Sequence, residues 1–261
     1  MIDVQAMYEE RQIPINEVGV TNLTIPFRIK RRKERTDRIP CNVTISCSLI
    51  ETQKGAHMSR FVSLLHEYSE QIIDYSTLHR LLLETNSLLD TESSKLKMEF
   101  VLFIKKFTPI TKLENYLNYN CSLEGENIDG KVRIFLSVEV PVMSLCPASK
   151  LISDFNAHSQ RSKISLKIEL LEDCIWFEDL IEIAERSCSQ ELYSLLKRED
   201  EKFVTENSYS RAKFVEDMIR DVAHELRTMP FIGYWTAHCI NFESIHNHDV
   251  YAIIKAGDCN A

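Results

Sequence analysis

Two runs of alternating apolar and polar residues enclose the least regular part of this chain. Apolar residues occupy every second position from Val132 to Val140 and again from Ile164 to Leu170, which is the period of a strand with one buried face. The polar connection between them, residues 141–162, is about twenty residues long, well beyond an ordinary hairpin loop. We therefore expect a functional loop between these two strands.

The same patterns predict the remaining elements. Alternation predicts further strands in the extended segment 22–35 and near 41–49, 98–104, 116–123, 232–240 and 249–255. Helical spacing predicts helices capped by Ser59 and Ser76, one near 176–187 and a longer one near 209–227. This order indicates a duplicated α+β fold with helices covering one face of antiparallel sheets. Residues 1–128, including a loose arm at 1–16, form the first predicted unit and residues 129–261 the second.

Composition narrows the class of protein. No apolar run approaches the roughly 18 residues that a membrane-spanning helix needs, and the N-terminus lacks the features of a leader. The net charge of −8 argues against nucleic acid or a membrane as a partner. The six glycines cannot build a P-loop or a GxGxxG turn. The eight cysteines indicate free thiols in a reducing compartment, so we expect a cytoplasmic enzyme or binding protein.

Cys146 and His158 are the first candidates for chemistry in the functional loop. Pro147 restricts Cys146 to extended geometry and so places its sulfur at the end of a strand. A thiol and an imidazole twelve residues apart form a weak metal signal compared with a paired CxxC motif. The alternative is a buried small thiol beside a surface imidazole.

Three other segments carry titratable residues. The segment 241–248 places Glu243, His246 and His248 before the final strand, a set able to bind metal or move protons near neutral pH. Glu216 lies off the apolar face of its predicted helix and is read locally as a surface carboxylate. The charge run 197–202 predicts a solvated turn. HELRT at 224–228 lacks the second histidine of a zinc-protease helix.

Six stretches together resemble the type IB GTP cyclohydrolases. They are KGAHMSRF (54–61), PVMSLCPASK (141–150), AHSQRS (157–162), LLKREDEKFVTE (195–206), KFVEDMIRDVA (213–223) and NFESIHNH (241–248). The resemblance spans roughly residues 13–255. It implies a tunnelling fold of two ββααββ units in a homotetramer with active sites between subunits. It also implies conversion of GTP to 7,8-dihydroneopterin triphosphate and formate, the first step of folate-type pterin synthesis.

The resemblance also implies roles for individual residues. Cys146 and His158 match ligands of one divalent metal, Mn, Zn or Fe, with Glu201 and Glu243 as further ligands, and Glu216 matches the carboxylate that anchors guanine. Cys146, His246 and His248 form the expected catalytic set. With no glycine-rich cradle for the triphosphate, cationic side chains are needed; the candidates are Lys54, His57, Arg60, Lys150 and Arg161.

One residue departs from the family pattern. The family commonly reads CPCS where this chain has Ala148 as the third residue. The first cysteine of the motif is present, and we expect it to be the ligand. Two alternatives remain open at this point: an archaeal-type enzyme whose product is a cyclic phosphate, and a catalytically silent homologue that binds metal or pterin.

Overall fold

The computed structural model describes residues 3–257, which form ten strands and six helices. The strands are β1 (Ile15–Lys30), β2 (Thr36–Leu49), β3 (Ile72–Ile73), β4 (Ser93–Phe107), β5 (Glu114–Ile128), β6 (Lys131–Leu145), β7 (Ser159–Leu170), β8 (Gln190–Glu191), β9 (Ile232–Asn241) and β10 (Val250–Ala256). The helices are α1 (Met58–Ser69), α2 (Tyr75–Leu89), α3 (Pro147–Ile152), α4 (Phe177–Ser187), α5 (Arg198–Ser210) and α6 (Val215–Thr228). The two strands predicted around the functional loop are confirmed as β6 and β7.

The strands join into one ten-stranded sheet, and this corrects the predicted fold class. Strand order is β10-β9-β7-β6-β5-β4-β2-β1-β3, with β8 paired to β6. The pairs β1–β2, β2–β4 and β9–β10 are antiparallel, whereas β1 and β3 are parallel. The prediction of a tunnelling fold of two ββααββ units is wrong, because α3, α5 and the two-residue strands β3 and β8 interrupt that order. Alternation reveals strands but not their pairing.

The chain divides into two units, each drawn from separated stretches. The first contains Met1–Phe100, Ser122–Leu136 and Glu169–Ile175, and the second contains Val101–Cys121, Ser137–Ile168 and Trp176–Ala261. The predicted division of the chain into residues 1–128 and 129–261 stays a prediction. Every residue of the functional loop lies in the second unit.

In the first unit, β1 is longer than its sequence predicted. It begins at Ile15, inside the expected arm, and pairs with β2. A Cβ on Gly19 would lie 1.9 Å from the Ile45 carbonyl oxygen, so only glycine allows this close approach. Helix α2 is capped by Asp74, whose carboxylate accepts from the Thr77 N–H at 2.9 Å, and not by Ser76. Helix α1 begins at Met58, so the predicted cap Ser59 lies inside it.

In the second unit, the charge run predicted as a solvated turn begins helix α5. The reason is Asp200, which is buried although its neighbours are charged. Its carboxylate accepts from the N–H groups of Ile110 and Thr111, from the Thr111 hydroxyl and from the Lys197 N–H. The bond from the Lys197 N–H caps the start of α5, and the other three bonds tie Asp200 to residues 110 and 111. The predicted helix 209–227 is therefore shorter, and α6 begins at Val215.

No helix within residues 3–257 is both long enough and apolar enough to span a membrane.

Candidate active site

Three predicted ligands lie at the ends of neighbouring strands. Cys146 directly follows β6, His158 directly precedes β7, and Glu243 lies two residues after β9. The order β9-β7-β6 makes these strands adjacent. The Cys146 N–H donates to the His158 carbonyl at 3.1 Å, and the Phe242 N–H donates to the Arg161 carbonyl at 3.0 Å. The backbone thus brings a thiol, an imidazole and a carboxylate to one end of the sheet.

Helix α3 fixes the backbone around Cys146, which is its N-terminal cap. The Cys146 sulfur accepts from the Ser149 N–H at 3.4 Å. The Ser149 hydroxyl donates to the Cys146 carbonyl at 3.1 Å and accepts from the His158 N–H at 3.3 Å. Pro147 occupies the first helical position, where no N–H is needed. Cys146 as a residue is partly exposed.

The side chains of His158 and Glu243 meet through Gln160. The Gln160 Oε1 lies 3.0 Å from His158 Nδ1, and its Nε2 donates to Glu243 Oε1 at 3.2 Å. Ser244 Oγ lies 3.3 Å from the same ring nitrogen. We call Cys146, His158, Gln160 and Glu243 the strand-end cluster.

The two predicted proton-transfer histidines lie together on the connection between β9 and β10. The rings of His246 and His248 stack with centroids 5.1 Å apart and planes 7° from parallel. Both side chains are exposed. They lie on a bend, where residues two positions apart bring their rings together.

Glu201 and Glu216 lie on two different helices. Glu201 is exposed on α5, and the hydrogen bonds described above for the strand-end cluster do not include it. Glu216 is exposed in the first turn of α6. The Lys213 N–H, just before α6, donates to the Leu145 carbonyl at 3.1 Å. The start of α6 therefore lies beside the residue that precedes Cys146.

Of the five cationic candidates for phosphate binding, three lie in the first unit and two in the second. In the first unit, Lys54 is exposed before α1, the His57 ring lies 3.3 Å from an Asp3 carboxylate oxygen, and Arg60 donates to the Leu88 carbonyl at 2.9 Å. In the second unit, Lys150 donates to the Tyr209 carbonyl at 2.7 Å, and Arg161 is exposed on β7. Their phosphate role stays a prediction.

The donor set fits a divalent metal in its chemistry. Thiolate sulfur, imidazole nitrogen and carboxylate oxygen together suit Zn²⁺, Mn²⁺ or Fe²⁺. In the described part of the chain, no three His, Cys, Asp or Glu side chains form a ready-made metal cluster. Backbone hydrogen bonds bring the ends of β6, β7 and β9 together, so this end of the sheet is where these donors would hold a metal.

Sequence reasoning missed Gln160. The predicted strand began at residue 163, whereas β7 begins at Ser159. Extending the alternation backwards would have placed Gln160 and Ser162 at inward positions, where polar residues need partners. The same signal marks Ser144 on β6 and Asn241 on β9, both of which are buried.

A second polar region in this unit has a different character. Lys106 binds Glu185 at 2.7 Å and also Glu191, while the hydroxyls of Tyr119 and Tyr193 donate to Glu185 and Glu191 at 2.7 Å each. Burial raises the pKa of Glu185 and of both tyrosines, whereas Lys106 and Tyr193 hold the pKa of Glu191 below its usual value against the effect of burial. We call these five residues the charge cluster. It borders a cavity of about 600 Å³.

Comparison with known sequences gives one consistent family. Residues 1–252 match the family described as "Type I GTP cyclohydrolase folE2". The chain is 42% identical over 253 residues to the GTP cyclohydrolase FolE2 of Nitrosococcus oceani, covering 97% of this chain and 94% of that protein. It is 43% identical to the GTP cyclohydrolase FolE2 of Neisseria gonorrhoeae, covering 97% of each. The match corrects the predicted type IB tunnelling-fold family.

Comparison with solved structures concerns the fold alone. The uricase of Arthrobacter globiformis superposes with a TM-score of 0.55 at 11% identity, covering 95% of each chain. A uricase from Bacillus fastidious superposes with a TM-score of 0.51 at 9% identity, covering 95% of this chain and 94% of that one. The chain therefore shares the architecture of uricases, which is the second finding against the predicted fold class.

Proposed function

The chain belongs to the type I GTP cyclohydrolase folE2 family and is a GTP cyclohydrolase, and from that premise we propose its product and its mechanism. The proposed reaction converts GTP to 7,8-dihydroneopterin triphosphate and formate, with one divalent metal held by Cys146, His158, Glu201 and Glu243. The observation that supports this proposal is the convergence of Cys146, His158 and Glu243 at the ends of β6, β7 and β9. The family membership supports a catalytic role over the catalytically silent alternative.

When bound, a divalent metal supplies Lewis-acid activation of the water that attacks C8 of guanine. The protein's part is to provide the donors. Cys146 is partly exposed and offers its sulfur at a strand end, and His158 and Glu243 are linked by Gln160. Glu201 joins them in this proposal from the exposed side of α5.

Glu216 is the proposed anchor for guanine. One carboxylate accepts hydrogen bonds from both N1–H and the 2-amino group of guanine, each charge-assisted bond being worth about 1.5–3 kcal/mol. Adenine carries a lone pair at N1, so the same carboxylate repels it. The exposure of Glu216 and the tie between Lys213 and Leu145 support this role.

His246 and His248 are the proposed proton carriers. An imidazole exchanges protons near neutral pH, and both rings are exposed on the connection that follows Glu243. In the proposed reaction they give protons to ring nitrogens as the C8–N9 bond breaks. During formyl hydrolysis they take a proton from the attacking water and give one to the departing nitrogen, and they move protons again as the ring closes.

The proposal includes a homotetramer whose active sites take residues from neighbouring subunits. Strand β10 lies at one end of the strand order, and its Tyr251 and Ile253 side chains are exposed, which is typical of an edge that pairs with another chain. Lys54, His57 and Arg60 of one subunit then serve the triphosphate of another, together with Lys150 and Arg161. Light scattering that gives the mass of four chains supports this assembly, and the mass of one chain contradicts it.

The experiment that tests the proposal measures formate and fluorescent pterin from GTP. The purified protein is stripped of metal and resupplied with Mn²⁺, Fe²⁺ or Zn²⁺. We expect turnover only after metal is added, and a product with the mass of 7,8-dihydroneopterin triphosphate. A cyclic-phosphate mass would instead identify the archaeal-type reaction. Equal turnover with and without metal would overturn the proposed mechanism.

A further inference from the structure

Gln160 is a buried amide placed between two proposed metal ligands. Its side chain lies on β7 with 8% of its surface exposed. Burying an amide costs free energy unless its polar atoms find partners. Both N–H groups and one side of the oxygen are used: Nε2 donates to Glu243 Oε1 at 3.2 Å and to Ser144 Oγ at 3.0 Å, and Oε1 faces His158 Nδ1. Gln160 therefore contacts both proposed metal ligands, His158 and Glu243.

The chemistry of these partners fixes which way the amide points. An ionised carboxylate only accepts hydrogen bonds, so the nitrogen of Gln160 must face Glu243. Its other N–H is taken by Ser144. The oxygen is then the atom left for His158, and a carbonyl oxygen only accepts. In the neutral ring, His158 Nδ1 therefore carries the proton and the lone pair lies on Nε2. The Ser244 hydroxyl, 3.3 Å from the same nitrogen, is compatible with this tautomer because it also offers an acceptor oxygen.

A buried row of polar side chains holds the amide in place from below. Ser144 Oγ lies 3.0 Å from Ser162 Oγ, and the Ser162 hydroxyl donates to Asn241 Oδ1 at 2.7 Å. These three residues lie on β6, β7 and β9 and are each at most 3% exposed. A satisfied buried network has few alternative arrangements. Gln160 is thus fixed by the sheet that carries the ligands.

We propose that Gln160 is a positioning residue that holds His158 in its Nδ1–H tautomer, so that Nε2 is free to bind the divalent metal, and that orients Glu243 toward the same ion. The inference rests on the metal site of the proposed function. Outer hydrogen-bond partners of metal-binding histidines act in this way, and their loss typically costs about 10–100-fold in affinity or activity. Gln160 touches neither substrate nor metal in this account.

The first test needs no metal. Nitrogen-15 NMR of metal-free protein labelled at histidine reports which ring nitrogen of His158 is protonated, with the resonance assigned by comparison with His158→Gln. We expect the Nδ1–H tautomer in the wild type and a mixture in Gln160→Met. An unchanged tautomer in Gln160→Met, or the Nε2–H form in the wild type, would overturn the inference.

The second test measures Mn²⁺ and Zn²⁺ affinity by competition with a chelator. Gln160→Met should bind about 10–100-fold more weakly than the wild type, and excess metal should restore kcat with little change in KM for GTP. The matched control is Gln190→Met, which removes another buried amide of the same unit, one that accepts from Asn207. The control should keep wild-type metal affinity.

The outcomes separate this inference from the proposed function. If the wild type binds no divalent metal, the metal site is wrong and the affinity part of this inference is overturned with it, while the tautomer measurement still decides the other part. If the wild type binds metal and Gln160→Met binds it equally well, only the role of Gln160 is overturned. Circular dichroism and thermal melting of each variant establish that it is folded.

Discussion

The strand-end cluster and the charge cluster are both polar, but they use their hydrogen bonds differently. In the charge cluster, Lys106 is matched by two carboxylates, each of which also accepts a tyrosine hydroxyl. In the strand-end cluster, the contacts described above for the His158 ring are at Nδ1, one Glu243 oxygen accepts from Gln160, and the Cys146 sulfur accepts the N–H of Ser149, while both Cys146 and His158 are partly exposed. A polar group whose hydrogen bonds are all made within the protein stabilises the fold, whereas a group that keeps an unused lone pair can bind a ligand.

The largest expected effect concerns the sulfur of the strand-end cluster. Cys146→Ala should lower GTP turnover by at least about 100-fold. It removes a proposed metal ligand, and we expect this loss to exceed the effect of removing an outer hydrogen-bond partner of a ligand. Its stability should stay near that of the wild type, because the side chain is only partly buried. Formate release and thermal melting measure the two quantities.

The control for this change is Cys174→Ala, which removes an exposed cysteine of the other unit. It should retain wild-type turnover. Equal loss of turnover in both variants, or wild-type turnover in Cys146→Ala, would contradict the proposal that the strand-end cluster is the catalytic site.

In the charge cluster we expect a substitution to lower stability and to leave metal binding unchanged. Lys106→Met leaves Glu185 and Glu191 buried without their cation, and removing one partner of a buried ion pair typically costs about 3–5 kcal/mol of unfolding free energy. Side chains of Lys106 and Glu185 are 10% and 12% exposed. Urea unfolding measures this loss, while metal affinity of the folded variant should be unchanged.

The neighbouring Lys105 provides the control. It pairs with Glu114 at 2.8 Å but lies on the exposed side of β4, where ion pairs contribute little. Lys105→Met should therefore leave the urea midpoint nearly unchanged. A similar midpoint for both variants would show that the charge cluster is not a stabilising unit.

A smaller effect is expected from pH. Burial, and then the charge of Glu185, raise the pKa of Tyr119. As pH rises above the ordinary tyrosine value of about 10, the unfolded chain releases a proton that the folded chain keeps, so the contribution of Tyr119 to stability is full below that pH and is lost above it. Tyr119→Phe should therefore be less stable than the wild type at pH 8, and the difference should narrow toward pH 11. A constant difference in melting temperature would contradict this coupling.

The smallest effect is expected at the departure from the family motif. Ala148 is exposed on α3, whereas Cys146 is the residue that caps this helix and contacts the backbone of the loop. Ala148→Cys should change turnover by less than about twofold, which is at most about 0.4 kcal/mol of activation free energy. A gain of tenfold or more in formate release would show that the second sulfur of the motif takes part in the reaction.

Local sequence patterns predicted the elements near the candidate site better than they predicted the sheet. Alternation along 132–140 and 163–170 identified β6 and β7, and the loop between them gave Cys146 and His158 as weak candidates that the resemblance then matched to metal ligands. The strand order was not available from the sequence, because a period of two shows which residues share a face and not which strands pair. The predicted fold failed for this reason.

The same limit explains two individual residues. Asp200 was read as part of a solvated turn because its partners, Ile110 and Thr111, lie about ninety positions away in sequence. Gln160 was missed because its role depends on β9 lying beside β7. In both cases the buried polar residue has hydrogen-bond partners on a segment that is distant in sequence, and a local pattern cannot reveal such partners.

The most direct test of the account is the metal content that GTP turnover requires. Metal-free protein is titrated with Mn²⁺ or Zn²⁺ while bound metal and formate release are measured together, beside Cys146→Ala. We predict that turnover rises in proportion to bound metal and saturates at one ion per chain, and that the variant fails to retain the ion at that site. Full turnover in the metal-free protein, or tight binding of one ion by Cys146→Ala, would contradict the account.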